Sequence, residues 1–195
     1  MPIQTSRAFS IRRCTTADAE TMAALGARLF AETYGPTHPE PELSRYLARA
    51  FPIDGIRAAV DDADVTMFVA EDPERGAVGY AYLRASHEPP SGVEGKRAFE
   101  VVRFYVDTSY QGRGIGAALM EECFDEASRR GADVIWLQVW KEAPWAVGFY
   151  ARMGFVVVGS APFYFGEQVG DDHIMARKVE SDDKLSVKSG LRIAN

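Results

Sequence analysis

Residues 99–117 read Phe-Glu-Val-Val-Arg-Phe-Tyr-Val-Asp-Thr-Ser-Tyr-Gln-Gly-Arg-Gly-Ile-Gly-Ala. The apolar first half predicts a buried strand, and the last residues open an amphipathic helix. Between them lie three alternating glycines, Gly112, Gly114 and Gly116. Glycines let a backbone approach a ligand closely, and the unpaired N–H groups of a first helical turn favour an anion. The stretch therefore predicts a phosphate-binding turn, to which Arg113 adds a positive charge.

Three interpretations of this turn compete. A glycine turn used only for tight packing is the first, because a lone glycine triplet is weak evidence of a ligand site. A dinucleotide-binding turn is the second, since residues 112–117 fit G-x-G-x-x-A. It requires an acidic residue at the end of the next strand, which here ends at Trp140, and residues 107–111 make the turn too long for that fold. A triphosphate P-loop is excluded, since no Gly-Lys-Ser/Thr follows.

The third interpretation rests on two motifs. Residues 111–116, Gln-Gly-Arg-Gly-Ile-Gly, resemble the pyrophosphate signature Gln/Arg-x-x-Gly-x-Gly/Ala of the GNAT acetyltransferases. Residues 148–155, Gly-Phe-Tyr-Ala-Arg-Met-Gly-Phe, resemble that family's Phe-Tyr-x-x-x-Gly-Phe and follow in the order typical of it. The resemblance covers roughly residues 9–179 and implies acetyl-CoA as cosubstrate. The residues that it places on the pyrophosphate are Gln111, Gly112, Arg113, Gly114, Ile115 and Gly116.

The resemblance also implies how the acetyl group is held and transferred directly to an amine. The backbone of Phe104, Tyr105 and Val106 should pair with the pantetheine arm, and the Val106 N–H should polarise the acetyl carbonyl. Tyr150 matches the tyrosine that faces the coenzyme sulfur and protonates the departing thiolate. The family's usual asparagine before this helix is absent, and Trp145 is expected to pack on the pantetheine instead.

Glu100 is the candidate general base, because an acidic residue eleven positions before Gln111 resembles the base of the histone-acetyltransferase branch. Strand alternation places its side chain on the face of Val102 and Phe104, where burial would raise its pKa. The structural alternatives are an edge glutamate in water and, for Tyr150, a packed core tyrosine.

The acceptor is expected to be a cationic small-molecule amine. The chain has 28 acidic and 22 basic side chains, a formal net charge of −6, although many acidic surfaces serve solubility alone. Residues 135–140, 163–166 and 172–175 resemble the PaiA-type branch, which acetylates polyamines, so a polyamine is the leading candidate. The carboxylates expected to bind a second ammonium are Glu32, Glu40, Glu42 and Glu167.

Hydrophobic periodicity and breakers predict the elements along the chain. Strands are predicted at 9–13, 65–70, 78–83, 99–106, 134–140, 155–158 and 173–178. Helices are predicted after Thr15, in parts of 34–64, at 113–130 and from Pro144 to Gly154, and a loop is predicted at 160–170. This order indicates one α/β domain over residues 1–179, with a mixed, mostly antiparallel sheet, flanking helices and one parallel β-α-β crossover. Residues 180–195 are predicted to be a polar tail.

Composition disfavours several other classes of protein. The acidic balance argues against a nucleic-acid partner. No segment approaches the ~20 apolar residues of a membrane span, and the first residues lack the apolar core of a signal peptide. Cys14 and Cys123 form neither a disulfide framework nor a zinc signature. A metal-free cytoplasmic protein is therefore expected, and the resemblance adds a possible homodimer, since this superfamily often dimerises.

One alternative function stays open at this stage. A catalytically silent acetyl-CoA-binding module, with a regulatory or interaction role, would use the same fold, because fold does not determine function. Retention of Glu100 and Tyr150 favours the enzyme. His173, Cys123, Trp136 and Trp140 are expected to be structural.

Overall fold

A computed structural model describes residues 9–37, 40–166 and 168–179. Its strands are β1 (Ser10–Arg13), β2 (Val65–Asp72), β3 (Gly76–Ser86), β4 (Ala98–Val106), β5 (Val134–Trp140), β6 (Val156–Phe165) and β7 (Gln168–Lys178). Its helices are α1 (Ala19–Tyr34), α2 (Glu42–Ala50), α3 (Ile53–Asp61), α4 (Ile115–Arg129) and α5 (Pro144–Arg152). The tail predicted at residues 180–195 lies outside the described residues.

The strands form one sheet in the order β1-β2-β3-β4-β5-β7-β6. Every neighbouring pair is antiparallel except β4 and β5, which are parallel and are connected through α4. A parallel pair needs such a crossover, whereas hairpins connect the antiparallel pairs β2–β3 and β6–β7. The predicted mixed sheet with one parallel crossover is therefore confirmed.

Helices cover both faces of the sheet. The main core lies between the sheet and α4, where Ile115, Leu119 and Cys123 are fully buried at helical spacing. A second core lies on the opposite face, where α1 and α3 bury residues such as Met22 and Ile56 against β2 and β3. None of the helices in the described part of the chain has the length and apolar character needed to span a membrane.

The end of the chain departs from the predicted elements. The predicted strands at 155–158 and 173–178 are the ends of a long hairpin, in which β6 runs to Phe165 and β7 starts at Gln168. The loop prediction for 160–170 was therefore wrong. β6 is the edge strand of the sheet, where a proline such as Pro162 costs no sheet hydrogen bond.

A buried carboxylate on α4 bonds to side chains of β1 and β2 and so connects the helix to these strands. Glu126 is 3% exposed, and its side chain accepts hydrogen bonds from Arg129 at 2.8 Å and from the Thr66 hydroxyl at 3.0 Å. It also pairs with Arg13 of β1. Burial alone would raise the pKa of Glu126, but the hydrogen bonds from Arg129 and Thr66, with the charge of Arg13, lower it. The ionised form is therefore the one that stabilises the fold.

We predict that Glu126→Gln lowers the free energy of unfolding by about 1–2 kcal/mol, because charged hydrogen bonds are replaced by neutral ones. The folded pKa lies below the unfolded value of about 4.3, so the contribution is fully present above that pH. It is lost as the pH falls through the folded pKa. Urea unfolding between pH 3 and pH 7 measures this, with Glu122→Gln, an exposed site on the same helix, as the control. A difference independent of pH would contradict the charged role.

Candidate active site

A gap in the sheet lies at the centre of the molecule. Strands β4 and β5 are paired only between Ala98–Glu100 and Val134–Trp136. Beyond these residues β4 continues to Val106 and β5 to Trp140, but the two strands are not paired with each other. The backbone of residues 104–106 borders this gap, at the place where the sequence predicts the pantetheine arm.

The glycine turn follows directly after β4. Gly112 and Gly114 have φ values of 76° and 83°, a left-handed conformation that favours glycine. A Cβ atom added at either position would meet no atom within 4 Å, so the space in front of this backbone is open. Gly114 is also the N-terminal cap of α4, whose first N–H groups carry partial positive charge. The turn therefore has the geometry of an anion site.

Two contacts hold the turn in place. The Arg113 guanidinium packs over the ring of Tyr110, 4.6 Å from its centroid. The Asp107 carboxylate accepts a hydrogen bond from the Ser109 N–H at 3.0 Å and forms an ion pair with Arg28 of α1 at 2.9 Å. These bonds keep the pKa of Asp107 below its usual value. Helix α1 is thus tied directly to the glycine turn.

Tyr150 lies on α5, on the same face of the sheet as α4. Its ring packs edge-on against Phe104 and Phe149, and burial raises its pKa above the usual value. A phenol that stays protonated can donate a proton but cannot accept one. Trp145, in the first turn of the same helix, is 57% exposed. The Phe149 ring lies beside Gly116 of α4, where an added Cβ would make an ordinary van der Waals contact with it at 3.4 Å.

The opposite face of the sheet carries a cavity of about 470 Å³. Its walls come from α1, α2, β4, β5 and the β6–β7 hairpin. The aromatic residues that line it are Phe30, Tyr34, Tyr46, Tyr105, Trp140, Phe163 and Phe165, and the carboxylates are Glu100, Glu142 and Asp172. A concave cavity in which aromatic faces and convergent polar groups meet is a usual form of a small-molecule site.

Glu100 lines this cavity, but its surroundings differ from the predicted ones. The register shows that Val102 is an extra residue, because Tyr82 pairs with Arg103 and Leu83 with Val101. Such a bulge reverses the alternation, so Glu100 shares its face with Arg103 and Tyr105, whereas Phe104 packs in the main core. The predicted face shared with Phe104 was therefore wrong.

Glu100 also has a charged partner that the sequence pattern did not indicate. Its Oε2 atom lies 2.5 Å from an Arg84 nitrogen, and its side chain is 16% exposed. The predicted surroundings, an apolar cluster of Phe99, Val101 and Phe104, belong to the opposite face of the sheet. Glu100 is therefore a paired carboxylate at the cavity wall.

Glu32, Glu40 and Glu42, the carboxylates of the predicted acceptor set that the structure describes, do not line this cavity. Glu32 pairs with Arg28 at 2.8 Å, Glu42 lies 3.7 Å from Arg45, and Glu40 accepts a hydrogen bond from Ser44. Glu167 lies outside the described residues. Some residues that line the cavity were not predicted as site residues from the sequence. They include Asp172 and Trp140, and Trp140 was expected to be structural. Side chains alternate between the two faces of a strand, so knowing that β5 pairs with β7 would have placed Trp140 and Asp172 on the same face.

The comparison with known families agrees with this geometry. The model of the Acetyltransferase (GNAT) family matches residues 27–155, which contain both the glycine turn and Tyr150. The chain belongs to the GNAT acetyltransferase family. It is therefore an acyltransferase for which acetyl-CoA is the cosubstrate.

Individual relatives are distant. An uncharacterized N-acetyltransferase of Mycobacterium bovis is 27% identical over 162 residues, which are 83% of this chain and 98% of that protein. An uncharacterized protein of Mycobacterium leprae is 34% identical over 104 residues, 53% of this chain but only 26% of that protein. The crystal structure of the PaiA N-acetyltransferase of Thermoplasma acidophilum in complex with coenzyme A superposes with a TM-score of 0.69. It is 19% identical and covers 87% of this chain and 98% of that chain.

We predict that Gly114→Asp weakens acetyl-CoA binding about tenfold or more, because a carboxylate would stand beside the pyrophosphate. Calorimetric titration measures the affinity. Gly76→Asp is the matched control, since Gly76 has φ of 74° and equally open space but lies in the β2–β3 hairpin. Both variants should lose roughly 1 kcal/mol of stability from backbone strain. Equal affinities in the two variants would refute the pyrophosphate site.

Proposed function

We propose that the protein transfers the acetyl group of acetyl-CoA directly to a primary amine of a small molecule. The observation that carries this proposal is the position of β4, which borders the sheet gap and ends at the glycine turn, while its other face lines the cavity. A thioester in the gap and an amine in the cavity would meet at this strand. The amine nitrogen forms a bond to the carbonyl carbon, the carbon–sulfur bond breaks, and the coenzyme thiolate takes a proton.

The proposed roles follow from where the groups lie. Glu100, at the cavity wall, receives the proton of the attacking amine through water, since it lies six residues before Val106 on β4 and cannot contact an amine at the acetyl carbonyl directly. The Val106 N–H polarises the acetyl carbonyl, since its strand edge borders the gap. Tyr150, buried and protonated, donates to the thiolate. Holding both substrates together supplies much of the barrier reduction without a covalent intermediate.

A cationic acceptor, with a polyamine as the leading candidate, fits the cavity. Aromatic faces attract ammonium groups, and carboxylates pair with them. The one basic residue among the described lining residues is Arg103, which donates a hydrogen bond to the Ala50 carbonyl and packs 4.6 Å from the Phe51 ring centroid. Its guanidinium is hydrogen-bonded and packed at the cavity wall, and the described carboxylates of the lining, Glu100, Glu142 and Asp172, outnumber its single positive charge. The resemblance of residues 135–140, 163–166 and 172–175 to the PaiA-type branch favours the same class of acceptor.

Location and assembly are part of the same proposal. Cys14 and Cys123 are free thiols, which suits the reducing cytoplasm. A homodimer through the edge strand β6 is supported by its exposed apolar residues Val156 and Val157. Residues 1–179 would form the catalytic domain.

We expect thiol release from acetyl-CoA with spermidine as acceptor, measured by a colorimetric thiol assay. Spermidine should give a higher kcat/KM than an alkyl monoamine of similar length, and the preference should decrease at high salt, which screens charges. Preference for the monoamine, or no salt dependence, would contradict the proposal of a polyamine acceptor but would leave the acetyltransferase assignment intact. The absence of turnover with every amine, despite acetyl-CoA binding, would favour a silent binding module.

We predict that Tyr150→Phe and Glu100→Gln each lower kcat by ~10–1000-fold with a smaller change in KM, because proton transfer acts in the transition state. Single-turnover kinetics measures this step. The controls are Tyr164→Phe and Glu74→Gln, both exposed and away from the cavity. An unchanged rate of the chemical step would mean that the tyrosine only packs, or that Glu100 only pairs with Arg84.

A further inference from the structure

One carboxylate of the cavity wall has an incomplete set of partners. Asp172 of β7 is 5% exposed, and its Oδ2 atom accepts a hydrogen bond from the Gln138 amide at 3.1 Å. Its Oδ1 atom is buried without a hydrogen-bond partner among the described residues. An unpaired buried carboxylate oxygen is costly, so native proteins retain one mainly where a ligand or ion completes it.

The neighbours of Asp172 fix its orientation. The Gln138 side-chain nitrogen donates to Asp172 and, at 3.4 Å, to the Pro162 carbonyl. Because the Gln138 amide nitrogen bonds to both groups, it holds the Oδ2 atom of Asp172 in place. The Oδ1 atom remains available to a ligand. Lys141, the nearby cation, pairs with Asp171 instead. Burial raises the pKa of Asp172 above its usual value, as expected of a carboxyl without a cationic partner.

Aromatic rings stand beside this carboxylate. Asp172 is paired directly opposite Trp140 in the sheet, and the Trp140 ring lies 5.9 Å from that of Tyr34. Tyr34 and Asp172 line the same cavity, and burial, with a smaller contribution from the charge of Asp172, raises the pKa of Tyr34 to about 12. Aromatic faces and a desolvated carboxylate together recognise an ammonium group. A bound ammonium group would supply the hydrogen-bond partner that the Oδ1 atom of Asp172 lacks.

Asp172 is well separated from Glu100 along the sheet. Glu100 is paired with Trp136, and Trp140 lies four residues further along β5, about 13 Å at the rise of a strand. The two carboxylates therefore line distant parts of one cavity. A single small amine cannot reach both, whereas a chain with ammonium groups near its two ends can.

We propose that Asp172 is a specificity-determining residue that binds an ammonium group of the acceptor other than the one acetylated. This inference rests on the proposed function, because it takes the reacting amine to lie at β4, from which β7 is separated by β5. Asp172 holds the distal ammonium, Gln138 orients the carboxylate, and Tyr34 with Trp140 covers the cation. Asp172 takes no part in proton transfer.

The test compares α,ω-diamines of increasing length with alkyl monoamines of the same length, in the wild type and in Asp172→Asn. Titration of each amine onto the CoA-loaded protein measures affinity without requiring turnover, and thiol release measures kcat/KM. Asp172→Asn should weaken the longer diamines roughly 30-fold or more, as when one partner of a buried charge pair is lost. Monoamines should change less than about threefold, since they lack the second ammonium.

The matched control is Asp171→Asn, which removes the same formal charge from the adjacent, exposed residue that pairs with Lys141. It should leave the preference for diamines intact. Asp172→Asn should fold normally, because it replaces a carboxyl whose second oxygen has no partner. An equal loss for monoamines and diamines, or no loss for either, would overturn the assignment. Diamine binding that depends on Asp172 without any turnover would instead refute the proposed function.

Discussion

The divergence of β4 from β5 is the constraint on which the other features depend. Parallel pairing over only three residues opens the sheet while the β-α-β crossover keeps both strands in it. The glycine turn must then follow at the end of β4, because α4 has to return across one face to start β5. The opened strands leave backbone groups at the gap and leave the opposite face of the sheet free to form the cavity floor. The gap proposed for the cofactor and the cavity proposed for the acceptor thus lie on the two sides of one break in strand pairing.

The parts that could be predicted from the sequence have local signals. Positive φ angles favour glycine at positions 112 and 114, and the helical spacing of apolar residues indicates α4, so the glycine turn and the crossover were predicted correctly. Cofactor binding at this turn stays a prediction. The bulge at Val102 has no such signal, because the sequence of β4 does not show that β3 has no residue opposite Val102. One inserted residue reverses the two faces, which moved Glu100 away from Phe104. The long β6–β7 hairpin was missed because an edge strand tolerates the proline and glycine that usually end strands.

The cavity could not be predicted for a different reason. Its wall combines residues from widely separated segments, and composition cannot say which carboxylates face inward. The net charge of −6 correctly suggested an acidic protein, but Glu32 and Glu42 lie beside arginines of their own helices. Asp172 belongs to a strand whose neighbours are known only once the sheet order is known. A carboxylate beside an arginine at helical spacing is more often part of a solvated surface than of a binding site.

The ion pair between Arg28 and Asp107 joins the two halves of the site through a single helix. Arg28 contacts the glycine turn, and Tyr34, six residues later on α1, lines the cavity, about 9 Å further along the helix axis. A rigid helix cannot shift at one end without shifting at the other. Any displacement of α1 by the cofactor therefore alters the affinity for the acceptor, and the acceptor alters the affinity for the cofactor by the same factor.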